Sequence, residues 1–86
     1  MRNTQKTRIR YSDRIVRDRR ISGGQAVFKG TRVTLRTVLA SLADGDSVED
    51  ILEDFPSLKR EDIWAAIAFA AASAEEDESL PAIPRI

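Results

Sequence analysis

The chain has 86 residues, which suits one small domain, and it contains neither histidine nor cysteine. Without them the chain has no disulfide bond, no thiolate metal site and no imidazole base, so catalysis would depend on carboxylates, lysine or hydroxyl groups. The sequence contains no acid-base pair beyond carboxylates of a surface type. We therefore expect a protein that is not an enzyme and that uses no metal ion or cofactor.

The formal net charge of zero conceals two halves of opposite charge. Residues 1–36 contain eleven lysines and arginines against two aspartates, a charge of +9, whereas residues 37–86 carry −9. A basic region of this kind most often neutralises phosphates, which favours nucleic-acid binding. Alternatively, the two halves attract each other within a dimer or keep the protein soluble.

No stretch of about 18 apolar residues occurs, and the first residues lack an apolar segment typical of a secretion signal. We therefore expect a cytoplasmic protein with no membrane partner, and we expect no small-molecule substrate.

The first third of the chain predicts a flexible arm followed by a β-hairpin. Residues 1–12 are polar, basic and without periodicity. The runs "RIVRDRRI" and "AVFKG" are rich in β-branched and aromatic residues, and they flank the pair Gly23-Gly24. These glycines form either a turn or a phosphate cradle, and a turn is favoured because the lysine spacing of a P-loop is absent.

Three helices are predicted after the hairpin. Thr34 is a good N-cap for the first helix, which ends at Gly45. Ser47 and Asp50 approximate a capping box for a short second helix that Pro56 closes. The third begins near Lys59 and continues through "REDIWAAIAFAAASA". The fold class is thus mainly α, and its outline matches a homeodomain-like helix-turn-helix, although any small three-helix bundle has the same outline.

The third helix is apolar on nearly every side after its first turn, so we expect it to be buried all round. Its surplus apolar surface predicts packing on the hairpin or dimerisation, through three residues: Trp64, Ile67 and Phe69. For Trp64, packing is favoured over the stacking of a ligand, because it lies among alanines and far from the basic cluster.

Residues 75–86 form a third region after the arm (1–12) and the hairpin with helix-turn-helix domain (13–74). Four acidic residues precede a segment that cannot be helical, because it contains Pro81 and Pro84. This tail is either a frayed terminus or a linear motif that binds a groove of a partner protein. The binding residues would be Leu80, Ile83, Arg85 and Ile86.

The DNA contacts predicted from the basic half are of two kinds. The phosphate contacts are assigned to six arginines of the arm and hairpin: Arg8, Arg10, Arg14, Arg17, Arg19 and Arg20. The base-edge contacts are assigned to the start of the third helix, at Lys59 and Arg60.

The segment "DRIVRDRRISGGQAVFKGTRVTLRTVLASLADGDSVEDILEDFPSLKREDIWAAIAFAA" resembles the bacterial and archaeal family first catalogued as domain of unknown function 433. The signature parts are Gly23-Gly24, Gly30-Thr31-Arg32, Gly45-Asp46, the block from Ile51 to Pro56, and Ala65-Ala66. The chain departs from the family at Ala26, where proline is usual, and at Lys59, where threonine or serine is usual. The resemblance implies a homeodomain-type helix-turn-helix and an antitoxin encoded beside a PIN-like nuclease.

Together with the basic half and the tail, the resemblance implies an antitoxin of a type II toxin-antitoxin system that dimerises, binds its own promoter DNA and masks its toxin through the tail. Arg85 would face the acidic, metal-binding active site of a PIN-like toxin. The alternative is an interaction or dimerisation module that has the helix-turn-helix shape without DNA binding. If the tail is only a frayed end, the toxin contact falls on the acidic helices, around Glu49, Asp50, Glu53 and Asp54.

Overall fold

The computed structural model describes residues 10–76. A 3-10 turn at Tyr11–Asp13 precedes two strands, and three helices follow: β1 (Ile15–Arg17), β2 (Ala26–Phe28), α1 (Leu35–Ala43), α2 (Val48–Asp54) and α3 (Arg60–Glu76). The prediction of a mainly helical fold with three helices after a hairpin is confirmed. Most of the predicted arm and tail lies outside the described residues, including Arg8, Leu80, Ile83, Arg85 and Ile86.

The predicted hairpin is present, and its two strands are antiparallel with Val16 opposite Val27. Its connection spans residues 18–25 and is longer than a two-residue turn. Gly23 and Gly24 end this loop with φ angles of 66° and 86°, a region that side chains with a Cβ atom rarely enter. The prediction that the glycines form a turn is therefore confirmed.

Local hydrogen bonds set the ends of α1 and α2 where the sequence predicted them. The Thr34 hydroxyl accepts the Thr37 N–H at 3.2 Å, which caps the start of α1. Gly45, with φ of 93°, closes α1 in a Schellman motif, because the Asp46 N–H donates to the Ser41 carbonyl at 3.0 Å. Both bonds of the predicted capping box of α2 are present.

The core lies where β2 meets the three helices. Phe28 closes it from the hairpin side and is fully buried, as are Val38 of α1, Ile51 of α2 and Ile63 of α3. Each such side chain contributes about 1.5–3 kcal/mol by leaving water. Apolar burial thus holds the hairpin against the helices, and this fixes the position of the basic residues of the hairpin relative to the helices.

The third helix is buried on one side only. It extends to Glu76, beyond the predicted end, and Ala65 and Ala66 lie in the interior. Trp64 and Ile67, however, are 45% and 40% exposed. The expectation that this helix is buried all round is therefore wrong for the single chain, because residues 10–76 supply neighbours for only part of its circumference. Within the same residues, none of the helices is long and apolar enough to cross a membrane.

Candidate nucleic-acid interface

A partly buried ion pair joins the start of the hairpin to the start of α3. The guanidinium of Arg14 donates to Asp62 Oδ1 at 2.9 Å, and the Asp62 side chain is only 9% exposed. The other carboxylate oxygen of Asp62 accepts the backbone N–H of Lys59 at 2.8 Å. Because lysine has no side-chain oxygen to cap a helix, this bond supplies the cap at the N-terminus of α3. Arg14 is therefore a structural anchor as well as a basic residue.

Next to this ion pair lies an open cleft of about 410 Å³. It is lined by Asp13, Arg14, Lys29, Ser57, Lys59 and Asp62. Its cations come from three places in the chain: just before β1, just after β2 and just before α3. Lys29 is held beside Arg14 because its backbone N–H donates to the Arg14 carbonyl at 2.7 Å. We call this the basic cleft.

The two lysines of the basic cleft are available to an external anion. Within residues 10–76, neither Lys29 nor Lys59 takes part in an ion pair, and both are exposed. An ammonium group is a compact charge with three donors, which suits a phosphate oxygen. Three cations and the two carboxylates of Asp13 and Asp62 line the cleft, so its formal net charge is +1.

The sequence analysis did not assign Lys29 to the DNA-binding residues. Its proximity to Arg14 follows from the strand register, since Ile15 is opposite Phe28 and the next residues outward are Arg14 and Lys29. A prediction of the hairpin that included its register would have placed Lys29 beside Arg14.

Two of the remaining predicted phosphate contacts of the hairpin, Arg17 and Arg20, form hydrogen bonds within their own chain. Arg20 binds Asp18 through two side-chain bonds of 3.1 and 3.2 Å, and Arg17 donates to the Gly24 carbonyl at 3.2 Å. The hydrogen bonds from the side chain and then the backbone N–H of Arg20 hold the pKa of Asp18 below its usual value. These exposed contacts are weak, so they compete little with a phosphate. Arg10 lies 3.8 Å from Asp13, and Arg19 is exposed.

The predicted base-reading residues at the start of α3 lie in different surroundings. Lys59 lines the basic cleft, whereas Arg60 donates to Glu49 of α2 at 3.0 Å. The pKa of Glu49 is lowered first by its own backbone N–H and then by the Arg60 guanidinium. The structure thus brings Lys59 together with Arg14 but separates both from Arg60.

Beyond its first turn, the exposed side of α3 is apolar. Trp64, Ile67 and Ala71 follow Arg60 on this side. Base edges in the major groove are read by hydrogen-bonding side chains, which these residues do not supply in the pattern required. The outward face of α3 is therefore suited to a protein contact.

Phe69, which was predicted to take part in dimerisation with Trp64 and Ile67, packs within its own chain. Its ring meets the ring of Tyr11 edge to face, with centroids 5.4 Å apart. At about 100° per residue it lies roughly 140° around α3 from Trp64. Tyr11, which the sequence analysis assigned to the flexible arm, is thereby held against α3.

The described residues show no candidate metal centre: no group of three or more carboxylates that could hold a metal ion occurs in residues 10–76.

Comparison with known proteins identifies the family. Residues 15–70, which contain the hairpin and most of the helical part, match the model of the family described as "Protein of unknown function (DUF433)". The chain is 49% identical over 53 residues to an uncharacterised protein, y4eO, of Sinorhizobium fredii. The aligned part is 62% of this chain and 24% of that relative, so the chain spans about a quarter of the relative's length. No solved structure matches the chain. Because the family model covers more than half of the sequence, the chain belongs to the DUF433 family.

Proposed function

We propose that this protein is a DNA-binding antitoxin. It acts in the cytoplasm as a homodimer, binds the promoter of its own gene and neutralises a PIN-like nuclease toxin encoded beside it. The observation that carries the DNA-binding part is the basic cleft, in which Lys29 and Lys59 stand beside the Arg14–Asp62 ion pair.

The basic cleft suits a phosphate of the DNA backbone better than a base edge. Its two exposed lysines are point charges, whereas the commonest base contacts are bidentate and come from arginine, asparagine or glutamine. Arg14 is fixed by Asp62 and therefore adds a positioned donor at low entropic cost. The expected role of the cleft is to set the position of the protein on DNA, with an affinity that depends on salt.

The test is the salt dependence of binding to a duplex from the region upstream of the gene. Fluorescence anisotropy at several salt concentrations gives the slope of log K against log salt. Lys29→Gln and Lys59→Gln should each make this slope shallower by about 0.9, the loss of one phosphate contact. Arg36→Gln removes the same charge from a different groove and is the matched control, with an unchanged slope. Absence of binding at low salt, or an equal effect of the control, would refute the proposed site.

The toxin-binding part of the proposal rests on what the resemblance in sequence implies and on the sequence of residues 79–86. Arg85 would enter the acidic active site, and Leu80, Ile83 and Ile86 would fill a groove of the toxin. Co-expression with the neighbouring gene tests this. Deleting residues 79–86 should abolish protection from the toxin while DNA binding persists, and Arg85→Glu should do much the same. Arg85→Lys is the control that keeps the charge and should retain part of the protection.

Protection by the truncated protein at equal abundance would refute the role of the tail. The contact would then have to lie on the acidic side of α2, around Glu49, Asp50, Glu53 and Asp54.

A second candidate function is a protein-interaction module that does not bind DNA. The observation in its favour is the exposed apolar side of α3, where Trp64 and Ile67 are 45% and 40% exposed. The anisotropy experiment separates the two candidates, because a module of this kind would give no binding at low salt.

A further inference from the structure

The exposed side of α3 has the spacing of a helix that packs along another helix. Positions 60, 64, 67, 71 and 74 are separated by four, three, four and three residues, which is the a and d spacing of a coiled coil. All five residues are exposed in the structure. We call them the α3 stripe: Arg60, Trp64, Ile67, Ala71 and Ala74.

The rest of the described chain does not cover this stripe. Ile63 and Ala66 are turned to the core, and Phe69 meets Tyr11. Two large apolar side chains therefore remain 45% and 40% exposed on the longest helix of residues 10–76. The two residues are three positions apart, so they form one apolar patch on the same side of α3, which is the kind of surface that a partner helix covers.

The α3 stripe is self-complementary in size when two copies run antiparallel. Its N-terminal half carries the large side chains of Trp64 and Ile67, and its C-terminal half carries the small side chains of Ala71 and Ala74. An antiparallel pair sets the large half of each copy against the small half of the other, which allows close packing. A parallel pair would set Trp64 against Trp64 and leave a gap between the alanines.

Charge favours the same orientation. Arg60 stands at the start of α3, and the exposed Glu75 stands near its end. In an antiparallel pair Arg60 of each copy approaches Glu75 of the other, and the neighbouring Glu61 offsets part of this attraction. A parallel pair is less favourable, because it sets Arg60 against Arg60 and each glutamate against its own copy.

We propose that two copies of this chain associate through the α3 stripe with their α3 helices antiparallel. This rests on the homodimer of the proposed function and adds its surface and orientation. The contact is isologous, so the same stripe serves both copies and no further partner is needed to complete it.

Disulfide cross-linking between single-cysteine variants tests the orientation, because the chain has no cysteine of its own. Glu61→Cys and Glu75→Cys place thiols near opposite ends of the stripe, separated by roughly 21 Å along one helix. A disulfide needs Cα atoms less than about 7 Å apart. Mild oxidation of a mixture, in which one variant carries a tag, should link Glu61→Cys to Glu75→Cys and should link neither variant efficiently to itself.

Sedimentation of the full chain tests the surface. Ile67→Glu should weaken self-association at least tenfold, because it places two charges in the contact. Ser73→Glu introduces the same charge on another side of α3 and should leave the dimer intact. Since both positions are exposed, circular dichroism should show both variants folded.

Three results would overturn this inference. Efficient self-linking of Glu61→Cys would mean a parallel pair. A stable dimer that Ile67→Glu does not weaken would mean another surface, and the homodimer of the proposed function would survive. A monomer at all concentrations, with the stripe covered by another part of the chain, would remove the homodimer as well. The anisotropy measurement on the Ile67→Glu variant shows separately whether DNA binding persists.

Discussion

Asp62 is the residue whose removal should cost the most stability for a polar change in this fold. Asp62→Ala removes the 2.9 Å bond from Arg14 and the 2.8 Å bond from the Lys59 N–H. A hydrogen bond between charged groups contributes about 1.5–3 kcal/mol, and a lost helix cap costs about 1 kcal/mol. The Arg14 side chain is still 34% exposed, so water offsets part of the first loss.

The expected destabilisation from Asp62→Ala is therefore about 2–4 kcal/mol, against a total of roughly 4–13 kcal/mol for a domain of this length. Urea unfolding followed by circular dichroism, at one fixed protein concentration, measures it. Asp62→Asn keeps the shape and one acceptor but loses the charge, so its free energy of unfolding should lie between those of the natural protein and of Asp62→Ala.

Glu61→Ala is the matched control for this experiment. It removes the same charge from the first turn of the same helix, but Glu61 is exposed and makes no side-chain hydrogen bond within residues 10–76. Its effect should stay within about 0.5 kcal/mol. If Asp62→Ala is no more destabilising than this control, water replaces both bonds without loss, and the anchoring role assigned to Asp62 is refuted.

Three further changes test the core, a turn and an ion pair. Ile51→Ala should destabilise the fold by about 2–5 kcal/mol in urea unfolding, because Ile51 is fully buried. A loss below about 1 kcal/mol would contradict this, because it would mean that neighbouring side chains move in and fill the cavity. Gly45→Ala should cost about 1 kcal/mol through its positive φ alone, since an added Cβ meets nothing within 4 Å, and Gly45→Asn should cost less. In Arg60→Ala, NMR titration should show the pKa of Glu49 rising toward 4.5 but remaining below it, because the Glu49 backbone N–H still donates. An unchanged pKa of Glu49 in this variant would contradict the pairing with Arg60. Because folding lowers the pKa of Glu49, the stability from this pair is present above pH 4.5 and is lost as the pH falls through the pKa of the folded state.

The sequence by itself determined the order and most of the ends of the secondary-structure elements. Thr34, Gly45 and the Ser47–Asp50 box act through bonds to backbone groups within a few residues, so their effect is visible in a short window of sequence. The motifs of the hairpin and helices were also sufficient to indicate the family. The end of α3 was less clear, because alanine and glutamate favour a helix without marking its last residue.

Only the tertiary structure decided which side chains meet and which remain uncovered. Arg14 and Asp62 are 48 residues apart in sequence, and Lys29 joins them through the strand register. Periodicity showed that α3 is apolar on most sides, but it could not show that the core takes Ile63 and leaves Trp64 exposed. The reason is physical. A capping side chain bonds to backbone groups within a few residues, whereas an apolar face is buried by whichever element packs against it. The identity of that element depends on the arrangement of the whole chain.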